Sequence, residues 1–249
     1  NSNTTGASNV AVGKHALLYN TTASNNTAVG YQAGYSNTVG RQNVAVGYQA
    51  LRDGTHTTLG DYFNTAVGSQ AMKANTTGQY NTGVGGLALF VNTTGSNNSS
   101  FGLSSMQANT TGTNNTAIGQ SALRSNTTAS NNTAVGFQAG YSNTTGQFNA
   151  FVGKEAGKNN VSGSANAFFG DEAGLFTTSS NNTFIGDDAG YLVTSGAKNT
   201  VLGRYSGNQG GLDIRTASNR IVLSDGDGNP WMHYDYSLRS NTGGWLSKV

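Results

Sequence analysis

The chain contains no cysteine, which excludes disulfides and thiolate metal sites and leaves the redox compartment open. Charge is scarce as well. Only 10% of residues are charged, the net charge is +2, and no Lys/Arg cluster forms along the sequence, so nucleic acid is not an expected partner. No apolar run approaches the roughly 18 residues needed to span a bilayer, and the amino terminus does not read as a signal peptide. Membrane insertion is therefore not expected. His15, His56 and His233 stand in unrelated contexts, and no Ser/His/Asp arrangement accompanies them. The expectation is a protein that is not an enzyme and carries no cofactor or metal.

What the sequence has in abundance is repetition. With 36 glycines among many Asn, Thr and Ser residues, composition alone would describe a low-complexity chain. The motif typified by Asn26-Thr-Ala-Val-Gly30 overrules that reading. It returns twelve times, closing at Gly13, Gly30, Gly47, Gly68, Gly85, Gly102, Gly119, Gly136, Gly153, Gly170, Gly186 and Gly203. The spacing is 17 residues, apart from 21 before Gly68 and 16 before Gly186. Such a period marks a repeat architecture whose units bury apolar side chains only by stacking on their neighbours.

Within a unit the phases are strict. Asn stands four residues before every closing glycine: Asn9, Asn26, Asn43, Asn64, Asn81, Asn98, Asn115, Asn132, Asn149, Asn166, Asn182 and Asn199. An apolar residue, from Val12 to Phe169, Ile185 and Leu202, immediately precedes the glycine, and Ala follows three residues after it in ten units. A short β-branched segment ended by Gly reads as a strand running into a turn. The later Asn-Thr-Thr-Gly, as in Asn143 to Gly146, reads as a second short strand or a corner.

A 17-residue unit is too short for a helical-hairpin repeat and suits one coil of a β-solenoid. The expected fold is all-β: a parallel β-solenoid, or β-roll, of about twelve 17-residue coils over residues 1–207, with an insertion near 51–62. A capping or connector segment, 208–249, would follow, with a hairpin around Asp225-Gly-Asp-Gly-Asn-Pro230. Coils stacked about 4.8 Å apart would make a rod of roughly 58 Å. Stacking turns each phase into a row, and the Asn row is expected to be a structural ladder bonded amide to amide.

Two residues before the glycine the sequence carries mostly Ala, then Phe151, Phe168, Phe184 and Val201. This position points opposite to the apolar residue beside it, and a strand apolar on both faces is buried on both. One face is expected to fill the coil. The other, with Phe151, Phe168, Phe184 and Val201, is expected to meet neighbouring chains in a homotrimer.

The unit Asn25-Asn-Thr-Ala-Val-Gly30, followed by Ala33, resembles the repeats of trimeric autotransporter adhesin heads. Runs such as Asn132-Thr-Ala-Val-Gly-Phe-Gln-Ala-Gly140 resemble repeats of bacteriophage tail-fibre proteins more closely. Ser218 to Pro230 is similar to the fibre segment that precedes an endosialidase-type intramolecular chaperone. The resemblance implies a trimer of left-handed parallel β-rolls, a virion tail-fibre location and adhesion to a host surface. A bacterial cell-surface adhesin head is the alternative. Asn3-Thr-Thr-Gly6 repeats Asn75-Thr-Thr-Gly78, so the chain begins mid-pattern, as a section of a longer fibre or a processed product would.

The expected partners are other copies of the chain, neighbouring fibre segments, and a host-surface glycan or protein. Candidate receptor or fibre contacts are Asp53 and His56 in the insertion, and Trp231, Tyr234, Tyr236 and Trp245 near the C-terminus, because loops and tips carry recognition more often than scaffolds. Glu155, Glu172 and Asp188 share a phase beside Lys154, Asp171, Asp187 and Arg204, which reads as a solvated charged face, with a cation site as the alternative. Tyr31 and Tyr48 share a phase, as do Tyr35, Phe90, Tyr141 and Tyr191, and such rings suit sugar stacking or packing across coils or between chains. Paired threonines such as Thr93/Thr94 and Thr110/Thr111 leave an ice- or surface-binding solenoid as a further alternative.

Overall fold

The computed structural model describes residues 2–54 and 60–235. Among them the fold is all-β. The three residues before each closing glycine form a strand, from Val10–Val12 and Thr27–Val29 to Thr200–Leu202. Successive strands pair parallel and in register, Ala28 opposite Ala45 and Ala134 opposite Phe151, so each coil lays one rung on the last. The result is a parallel β-solenoid of about twelve coils, and its main sheet has 14 strands.

The sheet is one wall of the coil, and turns make the others. Leu17 N–H donates to the Ala33 carbonyl at 3.0 Å and Thr21 N–H to the Thr38 carbonyl at 3.0 Å, so the turns too are bonded coil to coil. The Asn-Thr-Thr-Gly stretch at 143–146 is thus a corner and not a second strand. The closing glycines are fixed by two constraints at once. Gly102 sits at φ +132°, and a Cβ there would lie 2.6 Å from the Gly119 carbonyl oxygen.

Burial alternates along each strand, with the central residue inside and its neighbours partly or fully outward. Phe151, Phe168, Phe184 and Val201 are therefore fully buried within a single chain, which corrects their assignment to a trimer interface. Phe168 lies 5.5 Å from Phe151 and 5.0 Å from Phe184, ring centroid to centroid, so the three rings stack up the axis of the coil. The physical reason is volume: beside its alanines, a coil this narrow has room for one large side chain per rung. Where the strand centre is Phe, the residue six positions on is Gly157, Gly174 or Gly190; where it is Ala45, Ala66 or Ala117, that residue is Leu51, Met72 or Leu123.

The asparagine rows close the corners. Each Asn of the motif accepts at Oδ1 from the backbone N–H of the next, as Asn115 does from Asn132 at 3.0 Å. In eight of the coils its Nδ2 donates to a carbonyl 14 residues on, as Asn115 does to Ala129 at 2.8 Å. These bonds run mainly from side chain to backbone. Some of these asparagines also bond amide to amide, as Asn115 does to Asn98 at 3.2 Å, and a second row, unforeseen from sequence, makes shorter bonds of that kind: Asn92 donates to Asn75 at 2.7 Å and Asn109 to Asn92 at 2.7 Å.

The solenoid does not stop at residue 207. Arg220–Ser224 pairs parallel with Thr200–Leu202 as a further rung, Val222 opposite Val201. The intervening chain bulges into a two-stranded turn, Asn208–Gln209 against Leu212–Asp213. Tyr205, Ile214 and Val222 close the core at this end, and the Tyr205 hydroxyl donates to the Leu212 carbonyl. The last strand, Pro230–Asp235, returns antiparallel to Arg220–Ser224 and makes the expected hairpin. The boundary read at 207 therefore moves to the end of this extra rung.

Candidate binding surfaces

The outward face of the sheet carries the apolar row that precedes the glycines. Val12, Phe101, Ile118, Phe169, Ile185 and Leu202 are exposed, and Val29, Val46, Val67, Val84, Val135 and Val152 are partly buried. Twelve apolar side chains thus line one face of the rod without a break. Beside them runs a second outward row, Thr27, Thr65, Thr82, Thr116 and Thr133, of short β-branched residues.

The sequence-derived contact residues do not form one site. Asp53 is half-buried beside Arg52, 3.5 Å away. Its coil stands ten strand-to-strand steps from Arg220–Ser224, about 48 Å along the axis. His56, Tyr236 and Trp245 lie outside the described residues. Trp231 and Tyr234 both occupy the strand Pro230–Asp235, but the register slips beside Leu223 and leaves Trp231 in a bulge, whereas Tyr234 pairs with Ile221. Trp231 is 80% exposed, and its indole N–H donates to Asp225 Oδ2 at 2.9 Å.

Asp225 organises the hairpin turn. Its Oδ1 accepts from the backbone N–H groups of Asp227 and Asn229. The Trp231 indole N–H, then the Asn229 backbone N–H, hold its carboxyl down at about 2. A lowered folded-state value contributes stability above the ordinary aspartate range that is lost as pH falls through about 2. In a Trp245→Phe background, Trp231 fluorescence should titrate at that low pH, and Asp225→Asn should abolish the titration. A midpoint near the ordinary value of 3.8 would show that the indole bond does not form.

The acidic rows are interleaved with cations. Lys154 lies 3.5 Å from Asp171 and 3.2 Å from Glu172, and Arg204 lies 3.2 Å from Asp187 and 3.1 Å from Asp188. The Glu172 hydrogen bond, then the Asp171 charge, push Lys154 up. Among the described residues no group of three or more His, Cys, Asp or Glu side chains is placed to hold a metal ion.

Two further surfaces follow the coil period. Tyr31 and Tyr48 are parallel within 12° at 5.6 Å, and Tyr19 meets Tyr35 edge-on at 4.9 Å, so these rings pack along the rod. Of the paired threonines, the inner row donates its hydroxyls to the next coil, as Thr93 does to the Thr110 carbonyl at 3.0 Å. Thr77, Thr94, Thr111, Thr128 and Thr145 remain exposed as a single row.

The phase of Phe90 and Tyr141, legible in the sequence as a row of rings, also carries cations. Stacking brings Arg52, Lys73, Phe90, Gln107, Arg124, Tyr141 and Lys158 into one line along the axis, at intervals of 21 and then 17 residues. Beside it lies a shallow hollow of about 340 Å³, lined by Phe90, Val91, Gln107, Ala108, Arg124 and Ser125.

By its fold the protein is a parallel β-solenoid with the form of a β-roll. Comparison with protein-family models, curated proteins and solved structures returns no match.

Proposed function

We propose that this chain is a structural and adhesive fibre section of the bacteriophage tail-fibre kind, acting as a trimeric spacer that also touches the host surface. The observation that carries the proposal is the unbroken outward row from Val12 to Leu202. Phe169, Ile185 and Leu202 are 41%, 42% and 50% exposed in the single chain. A strip about 58 Å long and about 10 Å wide presents on the order of 600 Å², close to the roughly 800 Å² per partner of a standard interface. The strip repeats at the coil spacing, so the surface that matches it rung for rung is the same strip on another copy. Three such faces meeting around an axis cover the apolar rows and leave the turn walls facing outward for contact.

Sedimentation or light scattering of the purified chain should give a trimer, and Phe169→Asp with Ile185→Asp should give folded monomers. A buried charge without a partner costs several kcal/mol, and these two residues point away from the coil's own core. A folded wild-type monomer at micromolar concentration would refute the trimer. Adsorption of the trimer to candidate host cells tests the adhesive half of the proposal, and its absence on every host reduces the section to a spacer.

A further inference from the structure

The row along the turn wall carries two cations with no ion pair among the described residues, Lys73 and Arg124, whereas Arg52 pairs with Asp53 and Lys158 with Glu155. The two stand three coils apart, about 14 Å along the axis. Both are braced on aromatic rings: Lys73 Nζ is 5.5 Å from the centre of the Phe90 ring, and the Arg124 guanidinium is 5.6 Å from that of Tyr141. Arg124 is fixed further, its Nε donating to Gln107 Oε1 at 3.0 Å and its Nη1 to the Tyr141 hydroxyl at 2.6 Å. A guanidinium has five N–H donors, so three remain for a ligand. Arg124 itself lines the hollow, together with the ring of Phe90, the amide of Gln107 and the small side chains of Ala108 and Ser125, and Lys73 stands one coil before Phe90.

We propose that this row binds an acidic glycan chain lying along the rod axis. One sugar ring sits in the hollow with its C–H face against Phe90, and carboxylates of the chain meet Arg124 and Lys73. An apolar wall with a few placed polar groups fits a polyhydroxylated ligand, and the two cations, without an ion pair among the described residues, select a charged chain over a neutral one. Nucleic acid fits less well, because the chain carries a net charge of only +2. The inference rests on the reading of the rod as a host-contacting fibre and assigns that contact to the wall of coils four to seven.

The test is titration calorimetry of the full-length protein with three probes: oligogalacturonate hexamer, maltohexaose and a thymidine oligonucleotide. The galacturonate should bind, and more weakly as salt rises. Arg124→Gln and Lys73→Gln should each weaken it by about tenfold or more, and Ser125→Trp, which fills the hollow, should abolish binding. Lys198→Gln, on another wall, should change nothing, and melting temperatures of all variants show that the coils persist. Failure of the galacturonate to bind at millimolar concentration overturns the proposal, as does equal binding by Arg124→Gln. Equal affinity for the oligonucleotide reduces the row to general polyanion attraction and overturns it too. Trimer formation and cell adsorption are scored separately. Arg124→Gln trimers that adsorb like wild type leave the fibre reading standing and sink this site, whereas galacturonate binding by a monomer does the reverse.

Discussion

Phe168→Ala should lower stability by about 3–5 kcal/mol, and adding Gly174→Leu should restore much of the loss. Phe168 is fully buried between Phe151 and Phe184, so its removal opens a cavity that those rings cannot collapse into without leaving their stack. A Cβ at Gly174 would lie 2.5 Å from Phe168 Cε2, so Gly174→Leu alone overpacks the coil and costs about 1–3 kcal/mol. Together the two changes reproduce the Ala117/Leu123 arrangement already present in the chain. The backbone permits it, because Leu123 holds φ 48° at the equivalent turn position where Gly174 holds φ +62°. Denaturant midpoints of the two single variants and the double variant give the coupling. Additive losses would show that the Phe/Gly and Ala/Leu alternation is not compensation of volume.

That alternation was available in the sequence, and it explains why the inward face was misassigned. Period and phase gave the solenoid and its coil length, since those depend only on which residue types recur at which interval, and the turn residues Asp225 to Pro230 gave the hairpin. They left two apolar strand faces and no rule for choosing between them. Val, Ile and Phe before the glycine are the bulkier row in most coils, and bulk suggests a core. The coil interior, however, is closed by the turn residue six positions on, and only the joint variation of strand centre and turn reveals which row shares that space. Gly34 and Gly140 follow Ala28 and Ala134 and break the simple pairing. There the neighbours lean in: a Cβ at Gly34 would meet Leu17 Cδ2 at 2.9 Å, and one at Gly140 would meet Phe151 Cδ2 at 2.6 Å.

The last rung was hidden for a related reason. At Asn219-Arg220-Ile-Val-Leu-Ser224 both marks of the motif are lost, with Arg in the ladder position and Ser for the closing glycine. The bond itself survives, because the ladder uses the backbone: Arg220 N–H donates to Asn199 Oδ1 at 2.9 Å. Asn219 keeps the left-handed corner at φ 61°, as Asn25 does in the second coil. The rings Phe90 and Tyr141 of the basic and aromatic row were legible by phase, but its cations were hidden, because charge clustering along a chain does not register neighbours that stacking makes from residues 17 and 21 apart.

The asparagine ladder yields the other large expected effect, and the sign of its pH dependence separates the ladder from ordinary polar packing. Asn115 is fully buried, accepts from the Asn132 N–H, and donates to the Ala129 carbonyl and to Asn98 Oδ1, the latter at 3.2 Å. Asn115→Leu leaves a donor and an acceptor without partners, each costing about 1–3 kcal/mol, so a total loss of about 2–6 kcal/mol is expected. Asn115→Asp keeps the acceptor for Asn132 but turns a second oxygen toward the Ala129 carbonyl and Asn98 Oδ1. Two acceptors facing a carboxylate disfavour its charged form, as does burial, so the introduced carboxyl has a folded-state value above the ordinary one of about 3.9. The sign follows. A raised value means the folded state holds the proton more tightly than the unfolded chain, so stability is greatest below about pH 4 and is lost as pH rises through the folded value. Protonated, the side chain donates to Ala129 as the amide does, and Asn115→Asp should approach wild type in acid while falling well below it at neutral pH. Asp225, lowered to about 2 by its donors, gives the opposite slope in the same molecule. Melting temperatures of wild type and Asn115→Asp between about pH 3 and 8 measure the difference. A deficit that does not change across that range would mean that the Ala129 carbonyl finds another donor, and that the ladder contributes through shape and not through its hydrogen bonds.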